Sequence, residues 1–159
     1  MKRFKYILAA TIAILAIASC KKNNPIQDEE WSSVGSVTGT WHMSSWTGLT
    51  SADIYVSFND NGTFDLYQRL YSPVYEHLTG SWTLNEGLLS GTYEDGEPWH
   101  ADYNVLIRST GNEMILTATY NADDKATYVR AEIPDEILSG DLSLKSEGNA
   151  ATVPEFRFL

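Results

Sequence analysis

Residues 54–64 read Ile54-Tyr55-Val56-Ser57-Phe58-Asn59-Asp60-Asn61-Gly62-Thr63-Phe64. Ile54, Val56 and Phe58 share one face of an extended segment, Asn59 to Gly62 supply turn chemistry, and a second segment places Phe64, Leu66, Gln68 and Leu70 together. Asp53, Ser57, Asp65 and Arg69 fall on the opposite faces. A period of two, interrupted by a short Gly-bearing turn, is the pattern of an antiparallel hairpin buried on one side.

The same unit recurs on both sides of this hairpin. Alternation predicts strands over Thr40–Thr47, Asp53–Phe58, Thr63–Leu70, His77–Leu84, Leu88–Glu94, Trp99–Arg108, Glu113–Tyr120 and Lys125–Ile133. Compact turns at Asn85-Glu86-Gly87 and Thr110-Gly111-Asn112 make consecutive strands antiparallel. A meander of this length leaves two unpaired edges unless it closes, so the expected fold is all-β, an antiparallel up-and-down barrel of eight strands. After Ile133 the pattern fades: one helical turn is expected at Pro134–Leu138, a loop at Ser146–Ala151, and a last strand at Val153–Leu159 covering a barrel edge.

The beginning of the chain has a different character. Basic Lys2, Arg3 and Lys5 precede an uncharged run from Tyr6 to Ala18, which ends in Ile17-Ala18-Ser19-Cys20. The run is too short for a stable membrane span and is flanked like a secretory leader. It resembles the lipobox of bacterial lipoproteins. That resemblance implies a signal peptide over residues 1–19, acylation of Cys20 (palmitate among the chains), and a mature domain held on a membrane outside the cytoplasm. Lys21 after the cysteine implies, by the same resemblance, the outer membrane of a two-membrane cell, with the periplasmic or surface face left open.

Removing Lys2, Arg3 and Lys5 leaves eight basic against 21 acidic residues, so a net charge of −10 becomes −13. Such a field repels phosphates, and the basic residues are scattered singly, so no nucleic-acid partner is expected. Cys20 is the only cysteine. The exported domain therefore has no internal disulfide and must be held by its core and its backbone ladder. Residues 20–37, polar and carrying Pro25 and the acidic Asp28, Glu29 and Glu30, read as a tether, leaving 38–159 as the barrel domain. Trp31 is the exception, an indole expected to dock on its own domain or on a bilayer interface.

Gly39-Thr40-Trp41 heads the first long strand, Gly80-Ser81-Trp82-Thr83-Leu84 and Gly91-Thr92-Tyr93 occupy the middle ones, and the 54–64 hairpin lies between. This succession, from Gly39 to Ile133, resembles the lipocalin-like domains of envelope lipoproteins. The resemblance implies that Trp41 plugs the closed end of the barrel and that Arg130 on the last strand lies over it. The chain departs from the lipocalin pattern in having no long amphipathic helix after the eighth strand.

Strand order places the tight turns at one end and the looser connections, 48–52, 71–76, 95–98 and 121–124, at the other. A cup open at that end is how a barrel of this size holds one small ligand. Tyr71, Tyr75, Tyr93, Trp99 and Tyr120 are expected at or near the mouth, with Phe64, Leu66, Gln68, Tyr103, Met114 and Leu116 lining the interior below. Each residue alone also fits ordinary core.

Catalytic patterns are missing: no nucleophile elbow, phosphate loop or paired-histidine zinc motif occurs. His77, His100 and Asp102 would point toward the same end, the one conceivable surface metal site, though unrelated solvent-facing side chains explain them better. No cofactor is expected. The reading is a non-enzymatic, lipid-anchored barrel that binds a small apolar or amphipathic molecule. The alternative is a filled barrel that binds protein or glycan as a structural component of an envelope assembly, with its protein partner unknown.

Overall fold

The structure, a computed structural model, describes residues 30–33, 35–71, 73–140 and 156–159. The leader, Cys20, most of the tether, the 146–151 loop and residues 153–155 lie outside the described residues. The elements are β1 (Trp31–Ser32), β2 (Gly39–Trp46), β3 (Asp53–Phe58), β4 (Thr63–Arg69), β5 (Glu76–Asn85), β6 (Leu88–Tyr93), β7 (Tyr103–Arg108), β8 (Glu113–Ala118), β9 (Lys125–Arg130) and the single-turn α1 (Asp135–Leu138).

Every strand from β2 to β9 pairs antiparallel with its chain neighbour, and β2 also pairs with β9, closing an eight-stranded up-and-down barrel. Closure pairs the two outer strands of the meander with each other. The alternation in the sequence becomes inside and outside: Trp41, Ile54, Val56, Phe58, Phe64, Leu66, Leu89, Met114, Leu116 and Tyr128 are all buried. Burying such side chains contributes roughly 1.5–3 kcal/mol each.

The closed end is built on Trp41. Its ring is fully buried, its indole N–H donates to the Val37 carbonyl at 2.6 Å, and the Arg130 guanidinium lies 3.6 Å from the ring centroid. Arg130 also donates to the carbonyls of Thr38 at 2.6 Å and Gly111 at 3.1 Å, tying the entering chain and the β7–β8 turn to the plug. Burial holds the Arg130 guanidinium below its ordinary pKa. Gly39 gives the Gly-x-Trp pattern its reason: its φ is +110°, and a Cβ there would sit 2.3 Å from Arg130 Nη1.

Three differences from the sequence reading bear on the two ends of the barrel. Trp31–Ser32 pairs with the end of β7, where the β5–β6 hairpin has already turned back, and Arg108 lies 4.7 Å over the Trp31 ring. The last residues read as tether therefore belong to the folded unit, and Val37 is buried. The strand expected from Trp99 begins only at Tyr103, because residues 99–102 leave the ladder to lay Trp99 across Gly91, where a Cβ would come within 2.3 Å of the indole. Phe156–Leu159 form no strand on an edge; they enter the mouth of the barrel.

Replacing Trp41 by Ala leaves a large cavity under Arg130. The expected cost is about 3–5 kcal/mol of unfolding free energy, measured by urea denaturation, with little change in slope.

Candidate functional site

The interior nearer the looser connections is defined by four polar side chains on an otherwise apolar wall. Gln68 from β4 is fully buried, Tyr93 and Tyr103 from β6 and β7 are 4% exposed, and Tyr128 from β9 is fully buried. Burial pushes the phenols of Tyr93, Tyr103 and Tyr128 well above the ordinary tyrosine value, so all remain neutral hydrogen-bonding groups at any physiological pH.

Three of the four are engaged by Phe156–Leu159. The Gln68 amide donates through Nε2 to the Phe156 carbonyl at 2.8 Å and accepts the Phe158 N–H at 2.9 Å. Its second Nε2 hydrogen goes to Glu76 at 2.8 Å. Tyr93 donates to the Leu159 backbone oxygen at 2.6 Å and Tyr103 to the Phe158 carbonyl at 3.2 Å. Phe158 and Leu159 are buried, with the Phe158 ring edge-on to Trp46 at 4.9 Å and beside Tyr128 at 6.4 Å. Phe156 lies at the rim between Trp46 and His100, both 6.2 Å away. Arg157 turns outward, 4.6 Å over the Tyr93 ring, and forms a two-armed pair with Asp95.

Two buried polar atoms in this interior have no hydrogen-bond partner: the Tyr128 hydroxyl and the Trp99 indole N–H. Leaving such a group dry costs about 1–3 kcal/mol, so a native interior rarely keeps one without a use.

Trp46 reaches the mouth through a β-bulge. Opposite β9 the register shifts between Met43 and Ser45, so the inward series Trp41, Met43 continues at Trp46 instead of Ser45. The extra residue re-aims the strand. At the rim, Asp124 accepts from the Trp46 indole at 2.9 Å and from the Tyr120 hydroxyl at 2.5 Å.

Of the residues expected to line the cup, Phe64, Leu66, Gln68, Tyr93, Trp99, Tyr103, Met114 and Leu116 face the interior and are buried. Phe64, Tyr93, Trp99 and Tyr103 pack edge to face in its middle, with centroids 5.3–6.3 Å apart. Three others do not line the interior. Tyr71 is 78% exposed, and Tyr120, 63% exposed, stays at the rim on Asp124. Tyr75 folds over the outer wall, where its hydroxyl donates to Asp53 at 2.5 Å beside His42 and Arg69. Burial raises the Asp53 carboxyl, but hydrogen bonds from Tyr75 and His42 and the charges of His42 and Arg69 outweigh it and hold the group below its ordinary value.

His77, His100 and Asp102 do not converge. His77 stacks on Tyr67 and bonds Asp65 on the outer wall, whereas His100 lies against Tyr103 and Phe156. Among the described residues, no three His, Cys, Asp or Glu side chains are grouped to hold a metal ion.

The sequence alone does not single out Trp46 or Tyr128, and it expects 156–159 on a barrel edge where the structure docks it in the mouth. The irregular Met43-Ser44-Ser45-Trp46 was the local signal for the first. Tyr128 could be found from its alternation with Ala126 and Arg130, but nothing near Phe158 points to a partner 90 residues earlier.

A Trp plugs one end under an Arg from the last strand, and residues 156–159 fill the other. The lipocalin-like domain family matches residues 37–116, half of the chain. The chain belongs to that family. No curated protein and no solved structure matches it. In this lipocalin-like barrel the matched stretch supplies Gln68, Tyr93, Trp99 and Tyr103, while Tyr128, Arg130 and the docked segment lie beyond it.

The Arg157 clasp makes docking of the segment pH-sensitive at the acid extreme. Hydrogen bonds from Arg157 hold the exposed Asp95 carboxyl down from 3.8 to about 2. A depressed value means the clasp is intact above about 3.8 and is lost as the pH falls through about 2. Tryptophan fluorescence should report loosening of Phe156–Leu159 only in that window, and Asp95→Asn should abolish the pH dependence. Loosening already near neutral pH would assign the clasp to another group.

Proposed function

We propose that this protein is a lipid-anchored binding protein of the cell envelope that takes an amphipathic guest into the mouth half of its barrel and does not transform it. The observation that supports this most is the buried polar set of Gln68, Tyr93, Tyr103, Tyr128 and Trp99 within an apolar wall. Three of these groups are served by a segment that is no part of the barrel, and two are left unserved. A few convergent polar groups in a deep apolar cup are the common design of a small-molecule site. The guest would exchange with Phe158 and Leu159, put its apolar body against Trp46, Met114 and Leu116, and present acceptors to the phenols. Among the described residues, no nucleophile, base and orienter are arranged around this space, and the reading is binding without catalysis.

Anchoring rests on the Cys20 leader pattern alone. It would place the cup outside the cytoplasm on an acidic domain held a short distance from the membrane. Replacing Cys20 by Ala should move the protein from the membrane to the soluble fraction; unchanged membrane association would remove the anchor from the reading.

A second reading, protein or glycan binding by the outer wall, is favoured by one feature. An open groove of about 500 Å³ runs over Gly80, and its sides carry Thr63, Asp65, Thr79, Ser81, Thr92 and Glu94, hydroxyls and carboxylates suited to a hydrated partner.

Titration with a fluorescent long-chain fatty acid separates the two. Saturable binding to residues 21–159, tightened at least about tenfold by Phe158→Ser, is expected for a guest in the cup. Absence of saturable binding to either form, of this probe and of any other amphipathic guest, peptide included, would overturn the leading reading.

A further inference from the structure

We infer that the cup is a reader of extended peptide, selecting a basic residue between two aromatic ones, and that Phe156–Leu159 is its built-in occupant, held in exchange with a segment of the same chemistry from another protein. The inference rests on the guest-binding reading above and names the class of guest.

Gln68 carries the argument. Its amide donates to a carbonyl and accepts from an N–H two residues further along the same segment. This is how a strand is paired on one edge, here by a side chain in place of a neighbouring backbone. Phe158 N–H can only donate, so the orientation of the amide is fixed: Oε1 toward Phe158, Nε2 toward Phe156 and Glu76. A fatty acid offers acceptors to Tyr93 and Tyr103 but no donor for Gln68 Oε1, which is fully buried and would be left unsatisfied. A peptide satisfies both sides of the amide. Tyr103 and Tyr93 then take the main-chain oxygens of Phe158 and Leu159, so four bonds read backbone alone.

Side-chain preference comes from the walls. The first position meets Trp46 and His100 at the rim, and the third enters the interior edge-on to Trp46. The second faces Asp95 and the ring of Tyr93, a carboxylate and a π face that both favour a guanidinium. The Trp46 indole is fixed by Asp124, which makes these aromatic positions preformed.

The built-in occupant sets a threshold. Covalent connection to the barrel makes docking of the segment intramolecular, at an effective concentration on the order of 1 mM. A peptide from outside, with an intrinsic dissociation constant of about 10–100 µM, would therefore be weakened roughly 10- to 100-fold against the intact chain. Loss of the internal contacts restores its affinity.

The test uses residues 21–159, which include every contact described above. The probe is the peptide N-acetyl-Glu-Phe-Arg-Phe-Leu, titrated calorimetrically into the unmodified chain, Phe158→Ser and Arg157→Ala. Arg157→Ala removes the Asp95 pair and the stacking on Tyr93 and leaves the buried Phe158 in place, so it carries the test should Phe158→Ser fail to fold. The expected result is binding at least about tenfold tighter to the variants than to the unmodified chain. Methylating the backbone nitrogen of the second Phe in the peptide, which removes the donor to Gln68, should weaken it at least tenfold. Variants that bind the fluorescent fatty acid but not the peptide, or that bind the methylated peptide equally well, would overturn the peptide assignment and leave the guest-binding reading standing. Variants that bind neither would end both.

Discussion

The pairing of β2 with β9 is the contact on which the rest of the molecule depends. It converts a meander with two raw edges into a closed wall, and its lower end places Arg130 over Trp41. A guanidinium on an indole is worth about 0.5–2 kcal/mol. Its larger effect is geometric, because the same guanidinium binds carbonyls of the entering chain and of the β7–β8 turn. Three separate segments are thereby fixed at one end, and the cup at the other end inherits a defined shape. The bulge in β2 belongs to the same pairing, so the element that closes the barrel also delivers Trp46 to its mouth.

The two ends of the barrel follow different rules. Near the closed end, Trp41 is covered by Arg130 and bonded to Val37, and the rings of Phe58 and Trp82 meet edge to face. Toward the mouth, the interior carries phenols and an amide whose hydrogen bonds cannot all be made within the wall. Buried polar groups in a low-dielectric interior demand partners, and the chain supplies them from a segment far away in sequence. The outer wall handles its polar groups locally: His42 stacks on Tyr55 and bonds Asp53, and His77 stacks on Tyr67 and bonds Asp65.

Much of the wall was legible in the sequence because its signal is local. Asp53–Phe58 was read to the residue, since strict alternation and the 59–62 turn leave one register that buries Ile54, Val56 and Phe58 together. The interior positions Phe64, Leu66, Gln68, Tyr93, Tyr103, Met114 and Leu116 follow from the same period. Where alternation outlives the ladder the reading fails: Trp99, Ala101 and Tyr103 keep the phase of β7, yet the backbone before Tyr103 has left it. Tyr75 was placed at the mouth because its loop belongs there, whereas Asp53, His42 and Arg69 draw it outside. The docked segment was illegible for a deeper reason. Its hydrogen bonds span 55 to 90 residues, and no periodicity encodes a partner at that distance.

The docked segment also has a meaning for assembly of the fold itself. Its partners come from β2, β4, β6 and β7, strands that are brought around one axis only when the wall has closed. An incomplete or misregistered sheet offers it nothing to bind, since Gln68, Tyr93 and Tyr103 then point into different solvent. Seating of residues 156–159 is thus a mark of completion: the chain inspects its own finished barrel from within, and a free segment is the signature of one that has not closed.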